Sequence, residues 1–292
     1  MDMKQLRTFV TVARLSSLTK AADALHITQP AVSNQLKALE EYLEVRLMQR
    51  STSAVSLTQA GQELLPKAER VLETFGDFLN GAKGLRGTIG GHLRLGVVML
   101  DPECLRLGQF VRTMVTRYRG VVADLHVGRI AWMTWGIQSG ELDGAFFVGK
   151  KLPADTRGIE LSRMTFCVVA PALWRNRIEG ASWSDAALMP WIRASKPSAN
   201  HDMVMEILQR VAIKPVEIVE ADHEFIIRTL VSAGVGIGLL REELALQAQE
   251  KSEVIVMSEK AESSLWFIYH GNRESDPAIQ AAVESLRQTW NL

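Results

Sequence analysis

Cysteine is almost missing from this chain of 292 residues, with Cys104 and Cys167 alone. A disulfide scaffold is therefore excluded. No apolar run approaches the 18 residues expected of a membrane-spanning helix. Residues 1 to 30 lack the continuous apolar core and cleavage site of a secretory signal, so the chain is expected in the cytoplasm. The six histidines show no HxxxH spacing and the cysteines no CxxC, so no metal site is expected. No Gly-x-Ser-x-Gly elbow or paired catalytic carboxylate motif occurs; neither an enzyme nor a cofactor is expected. Gly234-Val235-Gly236-Ile237-Gly238 does not complete a dinucleotide fingerprint, because Leu239 follows and the run trails a helical pattern instead of opening one. It reads as a helix end feeding a strand. Surplus charge is missing too, since 33 basic residues cancel 33 acidic ones. That is unusual for a nucleic-acid binder, whose nonspecific affinity is dominated by phosphate attraction.

Against these absences one stretch stands out, from Ser17 to Gly61. Ala21, Ala22 and Leu25 give a short helix an apolar face, and the alanines are small enough for close helix crossing. His26-Ile27-Thr28 makes a turn. Thr28 suits an N-cap, and Pro30 sits in the following first turn, where a missing N–H does no harm. Val32, Leu36, Leu39 and Leu43 form one buried stripe. Gln29, Ser33, Asn34 and Lys37 lie opposite, with the mixed reach that suits hydrogen bonding to base edges in a major groove. Val45-Arg46-Leu47 and Val55-Ser56-Leu57 read as strands of a wing, with Arg50 at its base placed to meet a phosphate. The competing reading is a surface helix of a small helical domain. Through Gly61 there are seven basic and five acidic residues, so a single head is expected to bind DNA weakly and several to act together.

This pattern resembles the LysR-type transcriptional regulators. Phe9, Ala13, Ala21-Ala22, Leu25, Gln29-Pro30-Ala31-Val32-Ser33, Leu39-Glu40, Arg50 and Leu57-Thr58-Gln59-Ala60-Gly61 carry the match in order. The chain departs from the family pattern at Glu44, where glycine is common, at Met48, where phenylalanine is common, and at Ser53, where a second wing arginine is frequent. The resemblance implies a winged helix-turn-helix over 1–58, with DNA contacts from Thr19, Thr28, Gln29, Pro30, Ser33, Asn34, Lys37, Arg50 and Ser53. It implies double-stranded promoter DNA as partner and leaves room for RNA polymerase as another.

Residues 59–88 read as a linker helix and hinge. Leu64, Val71, Phe78 and Leu85 repeat every seven residues, with Ala68, Phe75 and Ala82 between them, a coiled-coil-like seam. The alternative is a helix buried against its own chain. Pro66 is expected to kink or break the pattern. In the family this helix pairs subunits, which implies a homodimer or homotetramer.

From 89 to 292 strand and helix patterns alternate: strands at 92–98, 121–127, 141–148, 166–170, 191–192, 216–219 and 265–269, and helices at 105–118, 130–138, 203–212, 224–233 and 277–290. The fold class expected is α/β, with a largely parallel sheet. It resembles the two-lobed, periplasmic-binding-protein-like effector domain of the same regulators, with one lobe at about 92–163 and 268–292 and the other at about 164–267. Ligands in such folds sit beyond the carboxyl ends of strands. That rule selects Leu100, Asp101, Arg129, Ile130, Phe147, Val148, Ser195, Lys196, His201 and His223. Asp101 and Glu103 stand where a helix start would receive a ligand carboxylate, so an acidic side chain is able to occupy the anion site itself. The arginine, lysine and histidines still favour a small polar effector bearing a carboxylate. Cys104 and Cys167 offer a redox switch as the alternative, and inert buried thiols as the plainer reading. Trp132 and Trp135 suit core packing better than a cleft mouth. The leading reading is an effector-responsive transcriptional regulator. A solute-binding receptor with the same two-lobed fold is second, disfavoured by the DNA reader at the amino terminus.

Overall fold

The structure, a computed structural model, describes residues 1–25, 27–50, 55–84, 90–196, 198–210 and 216–292. Two compact units divide the chain: Met1–Thr88 with Thr134–Leu142, and Ile89–Met133 with Asp143–Leu292.

In the first unit α1 (Met3–Leu15) starts on a capping box. The Asp2 carboxylate accepts the Gln5 N–H at 2.8 Å, and Gln5 Oε1 accepts the Asp2 N–H at 2.9 Å. α2 (Leu18–Leu25) buries Leu18, Ala21 and Ala22. α3 (Gln29–Leu43) begins at Thr28, whose hydroxyl accepts the Ala31 N–H at 3.4 Å, and buries Val32, Leu36 and Leu39. His26 lies outside the described residues.

The wing differs from expectation. Its strands are β1 (Met48–Arg50) and β2 (Val55–Leu57), paired antiparallel, so the first starts three residues beyond Val45. The end of α3 explains this. Glu44 takes a left-handed conformation at φ 56°, and the Val45 N–H closes on the Glu40 carbonyl at 3.2 Å. The Glu40 carboxylate then accepts the N–H groups of Leu47 and Met48 at 2.8 and 2.9 Å. These bonds hold residues 45–47 as a turn.

α4 (Gln59–Gly84) is capped by Thr58, whose hydroxyl accepts the Gly61 N–H at 3.0 Å and donates to the Arg46 carbonyl at 2.6 Å. The helix continues through Pro66. Gln62 and Pro66 are both exposed, so the carbonyl that loses its helical partner faces water. Ala68 and Leu72 are buried, and Arg14 of α1 pairs with Glu69 at 2.6 Å. Val71, Phe75 and Phe78 are exposed. Leu85, the last residue of the expected seam, lies outside the described residues.

In the second unit β3 (Gly90–Val98) pairs parallel with β4 (Gly120–Gly128) and with β5 (Gly144–Gly149); α5 (Leu107–Arg117) lies between β3 and β4 in the chain, and α6 (Ile130–Gln138), which the division cuts after Met133, lies between β4 and β5. Two long strands follow, β6 (Thr156–Pro171) and later β10 (Val254–His270), which pair with each other from Thr156↔His270 to Pro171↔Val254. Between them come α7 (Arg175–Ile178), α8 (Trp183–Ala187), β7 (Pro190–Arg193), α9 (Ala199–Gln209), β8 (Val216–Glu220), α10 (Glu224–Ser232), β9 (Gly238–Arg241) and α11 (Glu242–Glu250); α12 (Pro277–Trp290) follows β10. The main sheet has the order β4-β3-β5-β10-β6-β9, and β7-β8 form a separate parallel pair.

The sheet is therefore mixed, not largely parallel: β5 with β10, β10 with β6 and β6 with β9 are antiparallel. The reason lies in the sequence of the two long strands. Their apolar runs are short, at 166–170, 254–257 and 265–269; the stretches between and before them carry charges such as Arg157, Glu160, Arg163, Glu259 and Glu262 and read as loop. Side-chain alternation along β6 then divides the interior. Phe166, Val168 and Ala170 join a core with Leu95, Phe110, Phe146, Phe267 and Trp290. Cys167 and Val169 join a second with Ile192, Ile227, Val231, Leu240 and Leu244.

A buried charge cluster ties the first core together. Asp143, 1% exposed, accepts the Arg94 N–H at 2.7 Å and Arg94 Nη2 at 3.1 Å, while Arg273 Nη1 donates to it at 2.7 Å. Burial pushes the Asp143 carboxyl up, but the Arg273 charge and the Arg94 hydrogen bonds outweigh it and hold it below the usual range.

Candidate functional site

α3 turns its polar face outward. Thr28, Gln29, Pro30, Asn34 and Lys37 are exposed, Ser33 is half-buried, and Thr19 on α2 is exposed. The helix is anchored from behind, where the Thr8 hydroxyl of α1 donates to Gln35 Oε1 at 2.5 Å. Lys37 pairs with Glu41 one turn on at 3.5 Å, and both side chains are in solvent. A pair of that kind is worth about 0–1 kcal/mol and is readily given up to a phosphate. Ser33, Asn34 and Lys37 share a groove with Arg46 and Gln49, which become neighbours of α3 because the wing strand starts at Met48 and not at Val45. Arg50 ends β1; its side chain, and the whole of Ser53, lie outside the described residues.

The second unit contains a cleft with a free volume of about 100 Å³. Of the residues selected from sequence, Leu100, Arg129, Ile130, Val148 and Ser195 line it. Its other walls are mostly apolar and include Phe166, Met203, Ile227 and Leu239. Two acid–base pairs complete it. Asp222, in the turn ahead of α10, pairs with Arg129. Its Oδ1 accepts both the Ser195 N–H at 2.8 Å and the Ser195 hydroxyl at 2.5 Å. Glu224, the first residue of α10, receives Arg241 Nε at 2.9 Å and Nη2 at 3.1 Å, a bidentate pair with both side chains under a tenth exposed. Burial pulls the Arg241 guanidinium down, but the hydrogen bonds and charge of Glu224 outweigh it and hold Arg241 above its usual value.

Other selected residues are placed elsewhere. Asp101 is not at a helix start: residues 101–106 form turns and α5 begins at Leu107. The Asp101 carboxylate accepts the Glu103 N–H at 3.0 Å, while its own N–H donates to Glu224 Oε1 at 3.0 Å. The acidic group that takes this backbone donor is thus Glu224, not Asp101 or Glu103. Phe147 is buried but off the cleft, because alternation along β5 turns it away from the side of Val148. Lys196 is exposed outside the lining. His201 is buried in α9 with Nδ1 3.2 Å from the Ala194 carbonyl. His223 caps α10, its Nδ1 accepting the Phe225 N–H at 3.2 Å. Neither histidine lines the cleft. Trp132 and Trp135 do not line it either; Trp135 is buried, and Trp132 covers Gly128 so closely that a Cβ there would stand 2.2 Å from its ring.

Burial pushes the thiols of both Cys104 and Cys167 up, against the pull of Arg241 on the first and Lys260 on the second. A reactive thiolate needs the opposite shift.

Two family models match this chain. "Bacterial regulatory helix-turn-helix protein, lysR family" matches residues 3–62, and "LysR substrate binding domain" matches residues 86–291. The regulator YofA of Bacillus velezensis is 27% identical over 98% of this chain and 96% of its own length. YfeR of Shigella flexneri, an uncharacterized HTH-type transcriptional regulator, is 26% identical over 99% of this chain and 94% of its own length. Among solved structures, the virulence activator AphB of Vibrio cholerae matches with a TM-score of 0.59 at 15% identity, covering 99% of both chains. ArgP of Mycobacterium tuberculosis matches with a TM-score of 0.56 at 21% identity, covering 99% of this chain and 97% of that one. These structural likenesses extend to the fold. Taken with the exposed polar face of α3 and the lined cleft, the two family matches, consecutive and covering nearly the whole chain, show that this protein belongs to the LysR family of transcriptional regulators, with a helix-turn-helix DNA-binding head and an effector-binding domain.

Proposed function

We propose that this regulator reads promoter DNA as an oligomer, through α3 and the wing of each copy, under the control of a small effector held in the cleft of the second unit. The observation that carries the reading is the polar face of α3, with Gln29, Asn34 and Lys37 exposed and Ser33 half-buried, over a helix pinned at Thr28, Gln35 and Glu40. A helix so fixed presents its side chains to a groove in one register, which base readout requires. The weak charge surplus of the head supports joint action by several copies. CbnR, a full-length structural relative at a TM-score of 0.50, has been solved in complex with its target DNA.

Assembly has two supporting surfaces. Val71, Phe75 and Phe78 recur at spacings of four and three on one side of α4 and are exposed. Edge strand β4 exposes Val122, Leu125 and Val127. One such surface supports a dimer, and two independent ones support a homotetramer. Effector binding would change the relation between copies and so which half-sites their heads reach, with RNA polymerase as a downstream partner and the cytoplasm as the site of action.

Nuclease footprinting on the DNA upstream of its own gene tests this reading. Two protected blocks spaced by whole helical turns are expected, with the spacing altered by effector. A single block no longer than one half-site, or no protection at all, would contradict it.

A further inference from the structure

The cleft is built to receive hydrogen-bond donors instead of acceptors, and we propose that its ligand is a small amine in its cationic form, carried on a short hydrocarbon body. The inference rests on the cleft being the effector site and names the class of effector.

Four of the donor residues that line the cleft or border it are already engaged by its own acceptors. The Asp101 N–H goes to Glu224, Arg241 is held on both its Nε and Nη2 by the same carboxylate, and the Ser195 N–H and hydroxyl go to Asp222. The Asn200 amide donates to the Leu239 carbonyl at 3.1 Å. An anion entering this cleft would meet Glu224 in the position it needs, and displacing Glu224 would strand the buried Arg241 charge.

One acceptor is in the opposite state, and a second is held by an exchangeable partner. Asn200 lines the cleft, and its Oδ1 is buried without a hydrogen-bond partner among the described residues. Buried acceptors are rarely left so in a working protein unless something else fills them. Asp222 is fixed by Ser195 through Oδ1, while Oδ2 pairs with Arg129. The Arg129 side chain is 66% exposed and that of Asp222 18%. The exchangeable half of this pair is therefore the cation. When Arg129 swings into solvent it keeps its hydration, and Asp222 Oδ2 is left facing a site lined by Leu100, Ile130, Val148, Met203, Ile227 and Leu239. An ammonium group replaces Arg129 on that oxygen, and its hydrocarbon tail covers those walls. With Arg129 in place the free volume is about 100 Å³, which suits a tail of a few carbons, since an apolar cavity of roughly 150 Å³ holds benzene.

Met99 and Met203 both line the cleft and report its occupancy. Full-length protein labelled with ¹³C at the methionine methyls is titrated with n-butylammonium chloride, sodium butyrate and 1-butanol at pH 7 and constant ionic strength. Butylammonium is expected to shift the Met99 and Met203 signals saturably. Asp222→Asn should weaken that response about ten-fold or more, and Arg129→Ala, which alters only an exposed side chain, should strengthen it several-fold. A saturable response to butyrate that is lost in Arg129→Ala, or a butanol response equal to that of butylammonium, would overturn the amine assignment and leave the cleft as effector site. No response to any of the three in folded protein would overturn both.

Discussion

Gly61 and Leu47 meet without room for a side chain between them. A Cβ placed on Gly61 would stand 2.1 Å from the Leu47 carbonyl oxygen and 2.9 Å from Leu57 Cδ2. This is where the first turn of α4 meets the residues that lead into and out of the wing, so the contact fixes the wing against α4. Alanine in a helix is ordinarily favoured over glycine by up to about 1 kcal/mol. Here the clash involves a backbone atom that cannot rotate away, and overpacking of that kind costs about 1–3 kcal/mol. Gly61→Ala is therefore expected to lower the stability of the amino-terminal unit, read as a lower midpoint in urea unfolding followed by circular dichroism. An unchanged or raised midpoint would show that the wing is not held at this point.

Glu44 closes α3 with a φ of 56°, a conformation that disfavours residues with a Cβ by about 1–2 kcal/mol. Glycine relieves this but loses more chain entropy on folding, by about 0.5–1 kcal/mol. Glu44→Gly is thus expected to stabilise the protein by about 0.5–1 kcal/mol. It also removes one of five acidic residues from a head with a surplus of two positive charges, which should tighten nonspecific DNA binding at low salt. Glu44→Gln separates the effects, since it should tighten DNA binding with no gain in the unfolding midpoint. If Gln stabilised as much as Gly, backbone strain would not be the cause.

Asp143 links Arg94 of β3 to Arg273 ahead of α12. Its carboxyl is held below the usual range when folded, against about 3.9 when unfolded. The stabilisation is therefore present above about pH 4 and is lost as pH falls through the lower folded value. Asp143→Asn removes one of the two carboxylates on Arg273, whose Nε and Nη2 stay on Asp276, and leaves Nη1 against an uncharged amide, which costs about 1–3 kcal/mol at pH 7. The gap between variant and wild type should narrow toward pH 2. Chemical unfolding at pH 7 and pH 3 measures it, and a gap independent of pH would place the cost in packing instead of charge.

These contacts also show which parts of the molecule the sequence made legible. α6 and α12 have the limits expected from their patterns, Ile130–Gln138 and Pro277–Trp290, because an apolar face and a proline or strand end mark each. α3 was legible because its cap, its proline and its stripe agree. The long strands were half legible, since their outer portions alternate with charge. The cleft was legible where it lies at strand ends, at Leu100, Arg129, Ile130, Val148 and Ser195. Glu224 and Arg241 were not, because two charges far apart in the chain give no sign of being buried together. His201 and His223 were misleading for a related reason: one side chain packs inward from a helix and the other caps one, and neither role leaves a periodic trace.

In the proposed function α3 reads base edges. Fluorescence anisotropy of the full-length protein on its own upstream DNA and on a scrambled duplex of equal length, at one fixed salt concentration, tests it most directly. The wild type is expected to prefer the upstream sequence. Gln29→Ala and Ser33→Ala should each remove about 1–3 kcal/mol of that preference while affinity for the scrambled duplex is nearly unchanged. Equal loss on both duplexes, or no preference in the wild type, would contradict the account.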